Sequence, residues 1–305
     1  MKLIDQSVEF IPQLPGKEGM MKKIEMCART CYKSTPKGDD SAEKMVNALI
    51  NSQHYAMLEH AAVYLTIEIN NTEDNCTYEY KTELVDFFTR EPYSVVGYRD
   101  EREYKSITYY ITTNYRVVIE NRNKTFDCDP DNVTLMEAVD EFMTEPTDYH
   151  ERRISLRLIT SIGVTREGNR HRTFSIAEQS TRYCNFSKDK FNNEITFIKP
   201  VWFPEYDETD WDRFLKSLSD AENAYMVLIE KGWKPQQARE VLPLCTATEI
   251  VYTAFQRDWE HFFRLRLDEV TGPVHPNMKD IARKAMKAMN ENGYFLGWYD
   301  EINKE

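Results

Sequence analysis

The chain has 305 residues, and its 51 acidic and 39 basic side chains give a formal net charge of −12 at pH 7. Because non-specific nucleic-acid binding depends on broad basic surfaces, this charge argues against a nucleic-acid partner. The N-terminal sequence, MKLIDQSVEFIPQLPG, lacks the basic start and apolar core of a secretion signal, and no apolar run approaches the length of a membrane span. We therefore expect a cytoplasmic protein that has no membrane partner.

The six cysteines include no C-x-x-C pair and follow no regular spacing, so we expect reduced thiols. They lie at positions 27, 31, 76, 128, 184 and 245. His54 and His60 could suggest a metal site. However, six residues of extended chain separate the two side chains by about 20 Å, and six residues of helix turn them to different faces, so we expect no metal centre.

Hydrophobic spacing predicts a series of elements in the N-terminal half. An amphipathic helix is expected over residues 17–32, a second helix that Ser41 caps over 41–53, and a strand over 61–69. Residues 104–119 have the composition of a strand or a hairpin arm, 127–132 are turn-like, and 133–143 have helical spacing. Residues 71–150 show no chemistry of their own and no Gly, Pro or Ser linker, so we expect an extension of the same domain.

The C-terminal half carries a second series of predicted elements. These are a strand over 154–164 with a short turn or helix after it, a loop and strand over 184–200, and helices over 211–231, from 235, over 255–268 and over 278–290. Gly232 is expected to end the helix over 211–231, and Pro235 to open the next.

Chemistry concentrates between Arg170 and Tyr183, in the stretch RHRTFSIAEQSTRY. If this stretch is extended, Arg170 and Arg172 lie on one side about 7 Å apart, and Glu178, Ser180 and Arg182 share one side over about 13 Å. Guanidinium groups match phosphate oxygens two at a time, so the stretch suits a phosphorylated ligand of nucleotide size. The alternative is a solvated charged strand.

The pattern Arg170-His171-Arg172, then seven residues, then Ser180-Thr181-Arg182 is similar to the signature of flavin-dependent thymidylate synthases, and the chain resembles that family. The resemblance implies an α+β fold with helices around a central, mainly antiparallel sheet, in a single catalytic domain over residues 1–305. It implies an FAD-dependent methyltransferase that converts dUMP to dTMP, with carbon from methylenetetrahydrofolate and hydride from NADPH. It also implies a homotetramer whose subunits share sites.

Site residues follow from the same resemblance. The nucleotide is expected to bind Glu178, Ser180, Arg182, Arg239 and Arg266, and FAD is expected to bind His54, Glu59, Arg170, His171, Arg172, Arg257 and His261. His60 matches a position beside them. Arg266 is the expected catalytic residue, because a guanidinium that faces a pyrimidine carbonyl stabilises the negative charge that develops there.

The chain departs from the family pattern at several points. Residues 71–150 form an insertion that shorter members lack. Glu167 stands where many members have a glutamine that contacts the nucleotide, and a carboxylate is poor beside a phosphate unless Arg166 or Arg182 pairs with it. Phe255 stands where others have an amide. His275 fits a site residue and a surface loop histidine equally well.

Two alternatives stay open. Cys245 follows a Leu-Pro segment, as does the nucleophile of cysteine-dependent thymidylate synthases. Its neighbours Thr246, Ala247, Thr248 and Glu249 supply no cation to lower its pKa. The other alternative is a non-catalytic nucleotide-binding protein that has kept the pocket.

Overall fold

The computed structural model describes residues 1–70, 72–101, 105–127, 132–205 and 207–295. Within these ranges the chain divides into two compact units. Unit 1 contains residues 1–11, 28–35 and the described residues from 155 onward, and unit 2 contains residues 12–27 and 36–154. None of the described helices combines the length and the apolar character needed to cross a membrane.

The elements alternate along the whole described chain. The strands are β1 (Lys2–Ile4), β2 (Ser7–Ile11), β3 (Ala62–Asn70), β4 (Val95–Glu101), β5 (Ser106–Asn114), β6 (Thr125–Phe126), β7 (Val133–Thr134), β8 (Arg153–Ser161), β9 (Ser175–Glu178), β10 (Thr196–Ile198) and β11 (Ala247–Phe255). The α-helices are α1 (Gly16–Tyr32), α2 (Ser41–Asn51), α3 (Asn75–Arg90), α4 (Tyr115–Glu120), α5 (Leu135–Phe142), α6 (Ile162–Gly168), α7 (Glu208–Glu230), α8 (Pro235–Ala238), α9 (Gln256–Arg266) and α10 (Pro276–Glu291). Short 3₁₀ helices cover Tyr55–His60, Asp189–Phe191, Phe203–Glu205 and Arg239–Val241.

Unit 1 is built on a four-stranded sheet in the order β2-β8-β11-β9. β2 pairs antiparallel with β8, and β9 pairs antiparallel with β11 in a register that sets Glu178 opposite Ile250. Fully buried aromatic residues of α9, among them Trp259 and Phe263, contribute to the core of this unit. The sheet thus fixes β9, the middle of the charged stretch, against a buried strand.

Unit 2 is built on a three-stranded antiparallel sheet in the order β3-β5-β4. Its core includes the fully buried Leu65, Ile67, Ile111 and Phe88. The described part of residues 71–150 lies within this unit and supplies two of the three strands. The predicted α+β class and the mainly antiparallel strand pairing are confirmed. The described residues form two larger sheets instead of one central sheet, because β4 and β5 pair with β3 and not with β8.

Most of the predicted helices and strands are confirmed within a few residues. α1, α2, α5, α7, α9 and α10, and strands β3, β8 and β10, lie where hydrophobic spacing predicts them. Gly232, which follows the C-cap residue Lys231 of α7, has a φ of +90°, the left-handed conformation that glycine adopts at a helix end. Of the predicted segments, residue 104 and most of the turn at 127–132 lie outside the described residues.

Three local predictions are wrong. Ser41 does not cap α2: Asp40 precedes the helix, and the Ser41 hydroxyl donates to Glu25 Oε1 at 2.6 Å. Residues 115–120 are helical instead of extended, because the Asn114 side chain accepts a hydrogen bond from Val117 N and starts α4 despite the β-branched composition. The helix that opens at Pro235 is shorter than the predicted segment PQQAREVLPL: it ends at Ala238 and is followed by a 3₁₀ turn over Arg239–Val241.

Candidate functional site

The charged stretch begins in a turn that α6 imposes. Ser161 caps this helix by accepting a hydrogen bond from Val164 N at 3.3 Å. At the other end, Arg170 N donates to Glu167 O and His171 N donates to Gly168 O, so the chain folds back directly after α6. The expected extended geometry of Arg170 and Arg172 is therefore wrong.

The second part of the stretch is also only partly extended. β9 ends at Glu178, and a further turn follows in which Ser180 O accepts from Cys184 N at 2.9 Å. The Ser180 hydroxyl accepts from Arg182 N at 3.3 Å. Glu178, Ser180 and Arg182 consequently do not lie on one face of a strand. Instead, all three line the same pocket.

A pocket of about 540 Å³ opens in unit 1, within the size range of small-molecule sites. Four of the five predicted nucleotide residues line it, although Arg239 follows Arg182 by more than fifty positions in the sequence. The lining residues are Ile162, Thr165, Arg166, Asn169, Glu178, Gln179, Ser180, Thr181, Arg182, Arg239, Glu240, Leu242, Pro243, Leu244 and Thr248. Arg266, the fifth, is not among them.

Three arginines, Arg166, Arg182 and Arg239, give this pocket its positive side. Arg166 and Arg182 are exposed, and among the described residues neither forms an ion pair; the Arg182 guanidinium lies 5.4 Å from the centre of the Tyr183 ring. Arg239 donates to Thr181 Oγ1 at 3.1 Å and lies 3.7 Å from the exposed carboxylate of Glu240. The guanidinium groups of Arg166 and Arg182 can therefore bind an anion without first breaking an internal ion pair.

Glu178 also lines the pocket, and its carboxylate is held by hydrogen bonds. The Thr165 and Thr248 hydroxyls lie 2.8 and 3.3 Å from Glu178 Oε1, and Asn169 Nδ2 lies 3.5 Å from Oε2. Burial raises the pKa of Glu178, and these hydrogen bonds oppose the rise. The carboxylate is thus held in one orientation toward the cavity.

Tyr252 supports this arrangement from β11. Its hydroxyl donates to Asn169 Oδ1 at 2.9 Å, which orients the amide so that its NH₂ group points toward Glu178. Burial raises the pKa of Tyr252, so the hydroxyl keeps the proton that it donates. A Cβ atom on Gly168 would lie 2.3 Å from the same hydroxyl oxygen, so only glycine allows this approach.

Sequence reasoning missed Thr165, Asn169, Thr248 and Tyr252. Thr165 and Asn169 stand four residues apart at the end of a short polar segment, a spacing that places both on one side of a helix. Thr248 and Tyr252 enter the site through the pairing of β11 with β9, in which Ile250 faces Glu178. No local pattern in the sequence specifies that register.

Arg266, at the end of α9, lies against the turn that follows α6. Its Nε donates to His171 Nε2 at 3.1 Å and its Nη2 donates to Glu167 O at 3.2 Å. Nη1 lies 3.6 Å from Glu167 Oε2, so Glu167 pairs with Arg266 and not with Arg166 or Arg182. The Arg266 side chain is 17% exposed, and burial lowers its pKa.

The residues predicted to bind flavin are found in both units. In unit 1, His171 is buried, whereas Arg170, Arg172, Arg257 and His261 are exposed. The ring centres of His171 and His261 are 6.2 Å apart, which brings the Arg-His-Arg turn close to α9. His171 and His261, two members of the predicted set, therefore lie next to each other.

In unit 2, His54 is exposed directly before the 3₁₀ helix Tyr55–His60. Glu59 accepts a hydrogen bond from Arg116 Nη1 at 2.5 Å, and His60 is 1% exposed. The flavin roles of His54 and Glu59 stay predictions.

The sequence left open the roles of three residues of unit 1: His275, Phe255 and Cys245. His275 precedes α10, where its Nδ1 accepts from Asn277 N at 3.3 Å and its ring packs edge-on against Trp202. Phe255 is buried at the end of β11. Burial raises the pKa of the Cys245 thiol to about 11, so the thiol is protonated at neutral pH.

Comparisons with known proteins address the same segment of the chain. Residues 150–292 match the family model Thy1, described as thymidylate synthase complementing protein. The flavin-dependent thymidylate synthase of Pyrococcus furiosus is 34% identical over 120 residues, which cover 39% of this chain and 47% of the relative. The probable flavin-dependent thymidylate synthase of Paramecium bursaria Chlorella virus 1 is 29% identical over 141 residues, covering 43% and 64%.

A solved structure, the UMP/dUMP methylase PolB from Streptomyces cacaoi bound with 5-Br dUMP, aligns over 95% of this chain and 93% of its own, with 14% identity and a TM-score of 0.41. The sequence alignments to the first curated relatives span between 47% and 64% of the relatives' own lengths. All of the residues that line the unit 1 pocket fall inside the segment 150–292. For that segment, the resemblance to the flavin-dependent thymidylate synthases is confirmed.

Proposed function

We propose that the protein is a flavin-dependent thymidylate synthase that converts dUMP to dTMP, with methylenetetrahydrofolate as carbon donor and NADPH as reductant through FAD. The observation that carries the proposal is the convergence of Glu178, Ser180, Arg182 and Arg239 on one pocket of about 540 Å³. Arg239 comes from a part of the sequence far from the other three residues, so a shared cavity supports a shared ligand.

The pocket residues would bind and orient the nucleotide. Arg182 and Arg239 offer planar pairs of donors that suit phosphate oxygens, and the Ser180–Thr181 turn between them adds hydroxyl groups. The Glu178 carboxylate is an acceptor for a donor group of the sugar or the base. These contacts fix the nucleotide's position, which lowers the entropic part of the barrier.

Arg266 would act on the pyrimidine ring. Carbon C5 becomes nucleophilic when negative charge develops on the ring carbonyls, and a guanidinium already held in place stabilises that charge without reorganising. The contacts of Arg266 with His171 and Glu167 hold it before any ligand binds, which supports this role.

FAD fits the exposed part of the Arg-His-Arg turn. Arg170 and Arg172 are exposed, and no described acidic residue forms an ion pair with either, so both can bind diphosphate oxygens. Arg257 and His261, both exposed on α9, are the further candidates for contacts with FAD. When bound, FAD supplies the hydride chemistry that no side chain of this chain can perform. We further propose a cytoplasmic homotetramer whose subunits share sites.

The cysteine-dependent alternative is disfavoured by the environment of Cys245. A nucleophilic thiol needs a lowered pKa, and burial raises that of Cys245 to about 11. Cys245 also packs against the apolar cluster around Phe197 and Tyr225 and does not line the unit 1 pocket.

The test combines a spectrum with an assay. Purified protein with added FAD is expected to show the flavin absorbance bands, and to form dTMP only when dUMP, methylenetetrahydrofolate and NADPH are all present. Protein that binds FAD and all three substrates without forming dTMP would contradict the proposal. Protein that binds dUMP but no FAD would favour a non-catalytic nucleotide-binding protein.

A further inference from the structure

His171 is the buried member of a tripeptide whose two arginines are exposed. His171 is 7% exposed, and the centre of its ring lies 4.9 Å from the ring centre of Phe262 and 5.6 Å from that of Phe174. Arg170 and Arg172 on either side face solvent. The three residues therefore cannot all bind one ligand in the same way, although the sequence motif groups them.

We propose that His171 is a positioning residue for Arg266: its Nε2 accepts the Arg266 Nε–H, and this contact orients the guanidinium that acts on the nucleotide. The inference rests on the proposed function, and it reassigns His171 from the flavin site. The supporting contacts are the 3.1 Å hydrogen bond to Nε and the 3.2 Å hydrogen bond from Nη2 to Glu167 O.

The contact determines the protonation state of the imidazole. An arginine side chain can only donate, so His171 Nε2 must be unprotonated and the single ring proton must lie on Nδ1. The charged and titratable groups nearby act in the same direction. Burial is the largest cause that lowers the pKa of His171 to about 4, and the neighbouring Arg266, His261 and Arg170 side chains act in the same direction, so the acceptor form persists at neutral pH.

The N–H groups of Arg266 that are not already bound within the protein are the ones proposed to contact the nucleotide. Of the five N–H groups of a guanidinium, one donates to His171 and one to Glu167 O. The Glu167 carboxylate, at 3.6 Å from Nη1, neutralises charge at an ion-pair distance. Three N–H groups are left within the described structure, and their direction is fixed because two sides of the group are already bound.

The first experiment separates the positioning role from flavin binding. In His171→Leu, which lacks an acceptor, we expect kcat for dTMP formation to fall by about a hundredfold, while the affinities for FAD and dUMP are unchanged. His171→Gln can place Oε1 near the Nε2 position, and we expect it to restore most of the lost kcat. Loss of FAD affinity in His171→Leu, or an unchanged kcat, would overturn the proposal.

A matched control uses another histidine of unit 1. His275 also accepts a hydrogen bond through a ring nitrogen, but it does so from Asn277 N at the start of α10. His275→Leu is expected to leave kcat unchanged. Thermal unfolding of each variant shows whether the fold is retained.

The second experiment needs no activity and no cofactor. In ¹⁵N NMR spectra of the apoprotein at neutral pH, His171 is expected to have an unprotonated Nε2 and a protonated Nδ1, and the Nε2 resonance is expected to shift in Arg266→Met. A protonated Nε2, or a resonance that ignores Arg266→Met, would overturn the proposal. If the wild-type protein makes no dTMP, the proposed function fails, and the NMR result still decides the His171–Arg266 contact.

Discussion

Two groups of arginines in unit 1 differ in how the protein holds them. Arg266 is bound on two sides before any ligand arrives, with 17% of its side chain exposed. Arg182 is exposed and has no ion-pair partner among the described residues. Arg239, whose side chain is 37% exposed, contacts Thr181 through a hydrogen bond and pairs weakly with Glu240. A fixed guanidinium suits charge that develops during a reaction, whereas an adjustable one suits an anion that is already charged.

The largest effect is expected from Arg266→Ala. Removing a donor held in place for developing charge lowers kcat by about 10²- to 10³-fold, while FAD still binds. Single-turnover kinetics and the flavin spectrum check this result. Arg264→Ala, an exposed arginine on the same helix, is the control and should keep full activity. An unchanged kcat in Arg266→Ala would contradict the proposal that the fixed Arg266 acts in the reaction while Arg182 and Arg239 act in binding.

Arg239→Ala is expected to act on binding. A lost hydrogen bond to a charged group corresponds to about 1.5 to 3 kcal/mol, so the KM and Kd for dUMP should rise by about tenfold to a hundredfold with kcat nearly unchanged. Added salt should weaken dUMP binding less in Arg239→Ala than in the wild type, because the variant lacks the ion pair between Arg239 and the phosphate that salt would screen. Arg213→Ala, on the exposed face of α7, is the control. A fall in kcat at constant KM would assign Arg239 to the chemistry.

Tyr252→Phe is expected to have a smaller effect. The change removes the hydroxyl that donates to Asn169 Oδ1, so the free energy of unfolding should fall by about 1 kcal/mol, and the affinity for dUMP should fall modestly because the amide beside Glu178 is no longer oriented. Urea denaturation and dUMP titration measure the two effects. Tyr225→Phe removes a buried hydroxyl that accepts from Phe186 N; Tyr225 does not line the pocket, so the variant should change stability alone. Equal dUMP affinities in both variants would contradict the role of Tyr252.

Cys245→Ala is expected to leave turnover unchanged. A thiol whose pKa burial raises to about 11 is not the nucleophile that adds to the pyrimidine ring. The dTMP assay and mass spectrometry of quenched reactions are the measurements. A folded but inactive variant, or a nucleotide bound covalently to Cys245, would transfer the chemistry from the arginines to the cysteine.

The sequence predicted those parts of the site that local pattern or the family signature specifies. Glu178, Ser180 and Arg182 could be placed because their spacing resembles a known signature, and Arg239 because its local sequence resembles another segment of the same family. The long helices could be placed because their apolar residues recur every three or four positions. Sequence motifs and helix periodicity are both determined by residues that lie close together in the sequence.

The parts that the sequence did not predict depend on tertiary contacts. The burial of His171 follows from its packing against α9, and the approach of Tyr252 to Asn169 follows from strand pairing and from the small size of Gly168. The start of α4 is an intermediate case, because the Asn114 cap is a local signal that the β-branched residues after it obscured.

The division of the chain into units has a consequence for work on fragments. Unit 1 is discontinuous, and the Ser180 turn in the pocket wall is held from behind by Cys31, whose carbonyl oxygen accepts from Ser180 N at 2.9 Å. β2, which completes the edge of the sheet beside β8, comes from the first residues of the chain. A fragment limited to residues 150–292 would expose the hydrogen-bonding edge of β8 and release the turn at Ser180, so it would tend to aggregate and would lose the shape of its nucleotide pocket.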